Sequence, residues 1–155
     1  MEILHPLFTI VFIVLIGFSF KEVYGDEIKN YKAVWFVVIA MILLSGLRKN
    51  VGADYPVYKE LYSYFGLFIN FSEVFDKALF RENTIEIEWL YVFFNKVFFD
   101  LGLPFYMLTL FVAIFSISLK FWRMEKEVAY PAFALMIYMI PSYFIAHSGQ
   151  IRQGL

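Results

Sequence analysis

The chain has no cysteine among its 155 residues and only two histidines. A disulfide framework is therefore excluded, and a structural zinc site lacks the ligands to build it. Charge is scarce too: 17% of residues are Asp, Glu, Lys or Arg, where a soluble domain carries about a quarter. The formal net charge is −1 and no basic block occurs, which removes nucleic acid from the expected partners. Also missing are G-x-x-x-x-G-K-[ST], the dinucleotide Gly-rich turn, H-E-x-x-H and G-x-S-x-G. No nucleotide, zinc-protease or serine-hydrolase signature is left to pursue.

What the chain has instead is apolar surface. It is 61% hydrophobic and 22% aromatic, with a mean hydropathy of +0.68. Twenty Phe and eleven Tyr are more than one small aqueous core can hide. A spanning helix needs about 20 apolar residues to cross a hydrocarbon layer of about 30 Å. Four stretches meet or approach that: 3–20, 31–47, 103–122 and 128–146. The second reaches only about 25 Å, so Trp35 and Arg48 are expected near its two interfaces. The third opens after a Gly-Leu-Pro break, and the fourth carries Pro131 in its first turn and Pro141 as a kink. The first lacks a basic start and a small-residue cleavage site, so it reads as a retained anchor. The expected fold is an all-α polytopic membrane helix bundle with about four transmembrane helices, one membrane domain over 1–155.

Two compact basic segments set the expected orientation: 21–32 with Lys21, Lys29 and Lys32, and 120–127 with Lys120, Arg123 and Lys126. Both are expected on the cytoplasmic side. The N-terminus, the segment 48–100 and His147–Leu155 then face outward, provided 85–100 does not cross.

That outer interfacial segment is rich in amphipathic pattern. Asp54 stands where it can cap a helix with Pro56 in its first turn. Tyr58, Leu61, Tyr62, Phe65, Phe68 and Ile69 share one face of it, and Lys59, Glu60 and Ser63 the other. Ser72 stands where it can cap a second short helix that buries Val74, Phe75, Ala78 and Leu79. Such helices are expected in the headgroup layer with the apolar face down, sealing the bundle or binding lipid. A third piece, Ile85–Asp100, is apolar almost all round except for Glu88, Tyr91 and Asn95 at i, i+3 and i+7. A carboxylate in such surroundings is costly unless paired or functional, so Glu88 either works in a site or marks the aqueous end of the helix. Arg48 follows the second span and Arg152 the fourth, on the same expected face. Their planar forks can hold a pyrophosphate there or simply anchor helix ends.

The string GLRKNVGADYPVYKELY at 46–62, then EWLY from Glu88 with Asn95 four residues on, then QIRQGL at the end, resembles the EpsG-like group of Wzy-type polysaccharide polymerases. The resemblance implies an enzyme that joins polyprenyl-pyrophosphate-linked oligosaccharide units into exopolysaccharide, capsule or O-antigen. It implies work at the outer face of the bacterial inner (cytoplasmic) membrane. Carried over by position, Arg48 and Arg152 would contact the pyrophosphate, and Asp54 or Glu88 would be the base for the acceptor hydroxyl. The implied partners are the lipid-linked oligosaccharide, membrane lipids and other polysaccharide assembly proteins; no cofactor and no metal are expected. Members of the group continue past I-R-Q-G into further spans, so the chain is expected to be the N-terminal portion of such an enzyme. Two other readings stand beside this one. A transporter or flippase subunit for lipid-linked sugars would favour charged or polar residues near the midplane of several spans, where the four spans hold almost none; Ser45, Thr109, Ser116 and Ser142 are mild. A non-enzymatic scaffold would recruit partners through the aromatic outer segment.

Overall fold

The computed structural model describes residues 6–25, 31–47, 55–74 and 89–139. Among the described residues seven helices follow in order: α1 (Pro6–Tyr24), α2 (Lys32–Gly46), α3 (Tyr55–Phe68), α4 (Phe71–Val74), α5 (Trp89–Asp100), α6 (Phe105–Glu127) and α7 (Pro131–Tyr138). The described residues contain no strand. A helix satisfies every interior backbone group within its own segment, which long uncharged runs require. Pro56 and Pro131 sit in first turns, where the missing N–H is not needed.

The break between α5 and α6 follows from one glycine. Gly102 has a φ of 69°, the left-handed region. Its N–H donates to Phe99 O at 2.9 Å, and Leu103 N–H donates to Phe98 O at 3.0 Å. These paired bonds satisfy the last carbonyls of α5, and Pro104, extended at φ −73° and ψ 156°, then starts α6.

Two cores share α6. In the first, α2 lies along α6 and α1 along α7. Leu15, Val34, Val38, Met41, Ile117, Phe121 and Leu135 are buried between them. In the second, α3 and α4 pack on α5, and α3 and α5 on the first half of α6, around Tyr62, Phe65, Tyr91, Phe105 and Leu108. The outward faces of the first core remain apolar. Ile10, Ile13 and Phe20 of α1, Phe36 and Ile39 of α2, and Phe115 and Leu119 of α6 are all exposed. A helix hydrophobic on both faces belongs in an apolar medium or a deep core, not against water.

Polar contacts close one end of that bundle. Glu22, 5% exposed, accepts from Ala132 N–H at 3.1 Å, Phe133 N–H at 2.9 Å and the Tyr31 hydroxyl at 2.9 Å. The carboxylate of α1 thus caps α7, where the free N–H groups and the helix dipole both favour an anion. Nearby, Trp35 Nε1 donates to Glu125 at 3.1 Å. The C-terminal ends of α1 and α6 and the start of α2 therefore meet at one end of the bundle. Gly46 and the first turn of α6 lie at the other.

Several boundaries differ from the sequence reading. Helix α6 runs on to Glu127, so 120–127 forms its last two turns rather than a loop. An Arg123–Glu127 ion pair at 2.6 Å and Lys126 over the Trp122 ring at 3.8 Å line that extension. Helix α1 likewise continues to Tyr24. Helix α2 has 15 residues, about 22 Å at 1.5 Å per residue. Among the described residues one helix, α6, is both long and apolar enough to cross a bilayer. Asn70 rather than Ser72 opens α4. Its N–H donates to Glu73 Oε2 at 2.9 Å, and its carbonyl accepts from Glu73 N–H at 3.0 Å. Val74 is buried as expected; Phe75, Ala78, Leu79 and Pro141 lie outside the described residues.

Candidate functional site

All four residues singled out by sequence, Arg48, Asp54, Glu88 and Arg152, lie outside the described residues. What the structure fixes is the chain on either side of three of them. Arg48 and Asp54 belong to a segment that leaves α2 at Gly46–Leu47 and rejoins helix at Tyr55.

The near end is held by a close approach. A Cβ on Gly46 would stand 2.6 Å from Leu110 Cα, so only glycine lets α2 and α6 come this near. The Thr109 hydroxyl then reaches the Gly46 carbonyl at 2.7 Å, satisfying one of the acceptors a helix end leaves open. The far end is held by a ring. Tyr55, buried at the start of α3, meets Phe105 edge-on at 5.3 Å. Phe105 and Thr109 are one turn apart on the same face of α6. Both ends of the G-L-R-x-x-V-G-x-D-Y string therefore rest on a single turn of one helix.

Glu88 immediately precedes α5, and α5 is clamped to α3. The Tyr91 ring meets Tyr58 at 5.8 Å and Phe65 at 6.4 Å, both edge-on. Lys96 Nζ donates to the Gly66 carbonyl at 3.0 Å and to Asp100 at 2.7 Å. The Tyr62 hydroxyl donates to Leu103 O in the turn before α6, and burial raises its pKa. The apolar face of α3 is thus pressed on protein, on α5 and α6, and not turned down toward lipid. Its members are Tyr62, Phe65 and Ile69, with Tyr58 and Leu61 half-buried. Phe68, expected on that face, is 70% exposed. Lys59, Glu60 and Ser63 lie outward as the pattern foretold.

The polar stripe of α5 points inward. Tyr91 is 1% exposed and Asn95 0%. Asn95 Nδ2 donates to the Tyr91 backbone carbonyl at 2.6 Å. The Tyr91 hydroxyl and Asn95 Oδ1 make no well-aligned hydrogen bond among the described residues, though the Asn95 side chain stands near enough to the hydroxyl to lower its pKa against the larger effect of burial. Burial holds the Tyr91 phenol well above its ordinary range, so it is a neutral donor at any physiological pH. Among the described residues no three carboxylate or imidazole side chains come together as metal ligands.

Sequence reasoning named Gly46 in the string and Thr109 in a span but missed that the two are paired. The signal was present as a small residue opening G-L-R, but its partner lies more than sixty positions away and has no local mark. Glu22 was also passed over, because it sits among the lysines of a segment read as a basic loop.

In comparison with protein families, the EpsG family model matches residues 31–155. No curated protein and no solved structure matches the chain.

Proposed function

The chain belongs to the EpsG family, membrane proteins of polysaccharide biosynthesis, and from that premise we propose that it serves a polysaccharide polymerase. Its substrate would be an oligosaccharide carried on polyprenyl pyrophosphate, and its place a multi-pass fold in the bacterial inner membrane with 48–100 on the outer face. One observation carries the reading. The string that holds Arg48 and Asp54 is pinned at both ends to the same turn of α6, as a segment with a positional task would be.

In the proposed reaction an acceptor sugar hydroxyl attacks the anomeric carbon of the donor, and the bond to pyrophosphate breaks. Asp54 or Glu88 takes the hydroxyl proton. Arg48 and Arg152 hold the departing pyrophosphate through charge-assisted, two-pronged hydrogen bonds. The leaving group is already good, so most of the acceleration comes from positioning and from stabilising its charge. Glycosyl transfer of this kind needs no redox partner.

Exchange of Arg48 or Arg152 for Ala in the producing cell should abolish polymer while single repeat units remain. Normal chain length in both variants would sink the proposal. Retained polymer with Lys at both positions, combined with loss on truncating the 58–69 aromatic face, would instead favour a scaffold.

A further inference from the structure

Helix α3 carries apolar side chains on two faces, and the packing accounts for one of them. Tyr62, Phe65 and Ile69 are pressed on α5 and α6. On the outward side Tyr64, Leu67 and Phe68 are each at least half exposed. They line one end of an open groove of about 660 Å³ along the helix, the size of a ligand site. Lys59, Glu60 and Ser63 line it nearer the start of α3.

The lining is sorted along the helix. Lys59 and Glu60 come first, a cation and a carboxylate, and neither side chain has an ion pair or hydrogen bond among the described residues. Successive residues on a helix do not face each other, so the two charges are not placed to pair directly. Ser63 marks the boundary, its hydroxyl turned back on the Lys59 carbonyl at 3.3 Å. Beyond it the groove is floored by rings and Leu67, with Tyr64 and Phe68 5.4 Å apart and inclined at 38°. A sugar chain asks for polar partners along its whole length, and this groove offers charge at one end only. An amphiphile matches the sorting. Its head must accept hydrogen bonds from an ammonium and donate them to a carboxylate. A zwitterion of phosphate and primary ammonium does both through charge-assisted bonds; a quaternary ammonium has no N–H to give.

We propose that the outward groove of α3 binds a phospholipid of the phosphatidylethanolamine type. Its phosphate sits on Lys59, its ammonium on Glu60, and the start of its acyl chains over Tyr64, Leu67 and Phe68. The outward face of α3 then lies at the boundary between headgroups and acyl chains, where an amphipathic helix is stable. This assignment does not rest on the polymerase reading.

The chain has no cysteine, so a bimane label on Ser72→Cys reports from one place. Ser72 is exposed, four residues past Phe68 at the apolar end of the groove. The whole labelled chain is placed in nanodiscs of phosphatidylcholine that carry a minor share of nitroxide-labelled phosphatidylethanolamine, phosphatidylcholine or phosphatidylglycerol. Quenching should show an affinity for phosphatidylethanolamine about fivefold above that for phosphatidylcholine. The excess should vanish in Lys59→Gln and in Glu60→Gln. Both side chains are exposed, so both variants should fold with unchanged Tm. Equal quenching by the three lipids overturns the proposal, because the face then merely lies against bilayer. Strongest quenching by phosphatidylglycerol overturns it as well, since that is Lys59 acting alone on an anion. No quenching by any of them also overturns it and leaves the groove to a soluble occupant such as a sugar chain. The polymerase reading is tested separately, through Arg48 and Arg152.

Discussion

The two cores that share α6 are built from different material and leave different things undone. The first is aliphatic, with Leu15, Val34, Val38, Met41, Ile117 and Leu135 around one ring, Phe121. Its polar groups work within the fold: Ser19 donates to Leu15 O at 2.8 Å, and Glu22 collects three donors. Ser116 alone lacks a partner there among the described residues. The second core is ring upon ring, Tyr55 on Phe105, Tyr62 on Phe99 and Phe94 on Phe111, and it buries the Tyr91 hydroxyl and Asn95 Oδ1. Both cores therefore leave polar atoms without a well-aligned partner among the described residues, one in the first and two in the second, and each costs stability.

The contrast can be broken most directly at Glu22. Glu22→Ala leaves the first N–H groups of α7 without their acceptor, and should cost about 3 kcal/mol. Unfolding in detergent micelles titrated with SDS measures it. A loss no larger than that of the exposed Glu60→Ala would erase the distinction between the cores.

Next in size is Gly46→Ala, whose methyl must push α2 off Leu110. Overpacking of this kind costs about 2 kcal/mol, read in the same titration. Thr109→Val removes the bond to Gly46 O and should cost about 1 kcal/mol. If the pinned string works as proposed, polymer length in the producing cell falls further than that small loss of stability explains. The last and smallest effect has the opposite sign. Tyr91→Phe should raise stability by about 0.5–1 kcal/mol, because it deletes a hydroxyl without a well-aligned hydrogen bond from the aromatic core. A destabilised Tyr91→Phe would mean that the two cores treat their polar groups alike.

Local signals in the sequence carried far. Pro56 and Pro131 marked helix starts, Gly102-Leu103-Pro104 marked a break, and the spacing of Tyr91 and Asn95 marked a shared face. What they could not carry was direction. An apolar chain offers little contrast between the side that meets protein and the side that meets lipid. Phe65 and Phe68 therefore looked equivalent, and only the fit of α3 on α5 and α6 separates them. Long-range polar links were invisible for a related reason. Glu22 with Ala132 and Thr109 with Gly46 are pairings between ordinary residues in unrelated stretches, with no periodicity to announce them. The proposed site stood out in sequence through its motifs; its supports did not.

The cap that Glu22 places on α7 also sets a schedule. Its two backbone donors lie 110 and 111 positions further along the chain. At a synthesis rate of about 5–20 residues per second, the carboxylate waits on the order of ten seconds before either donor exists. During that interval α1 has no α7 to pack against. The last described helix to be made is therefore the one that locks the first into place, and assembly of the bundle closes from its two ends inward in time.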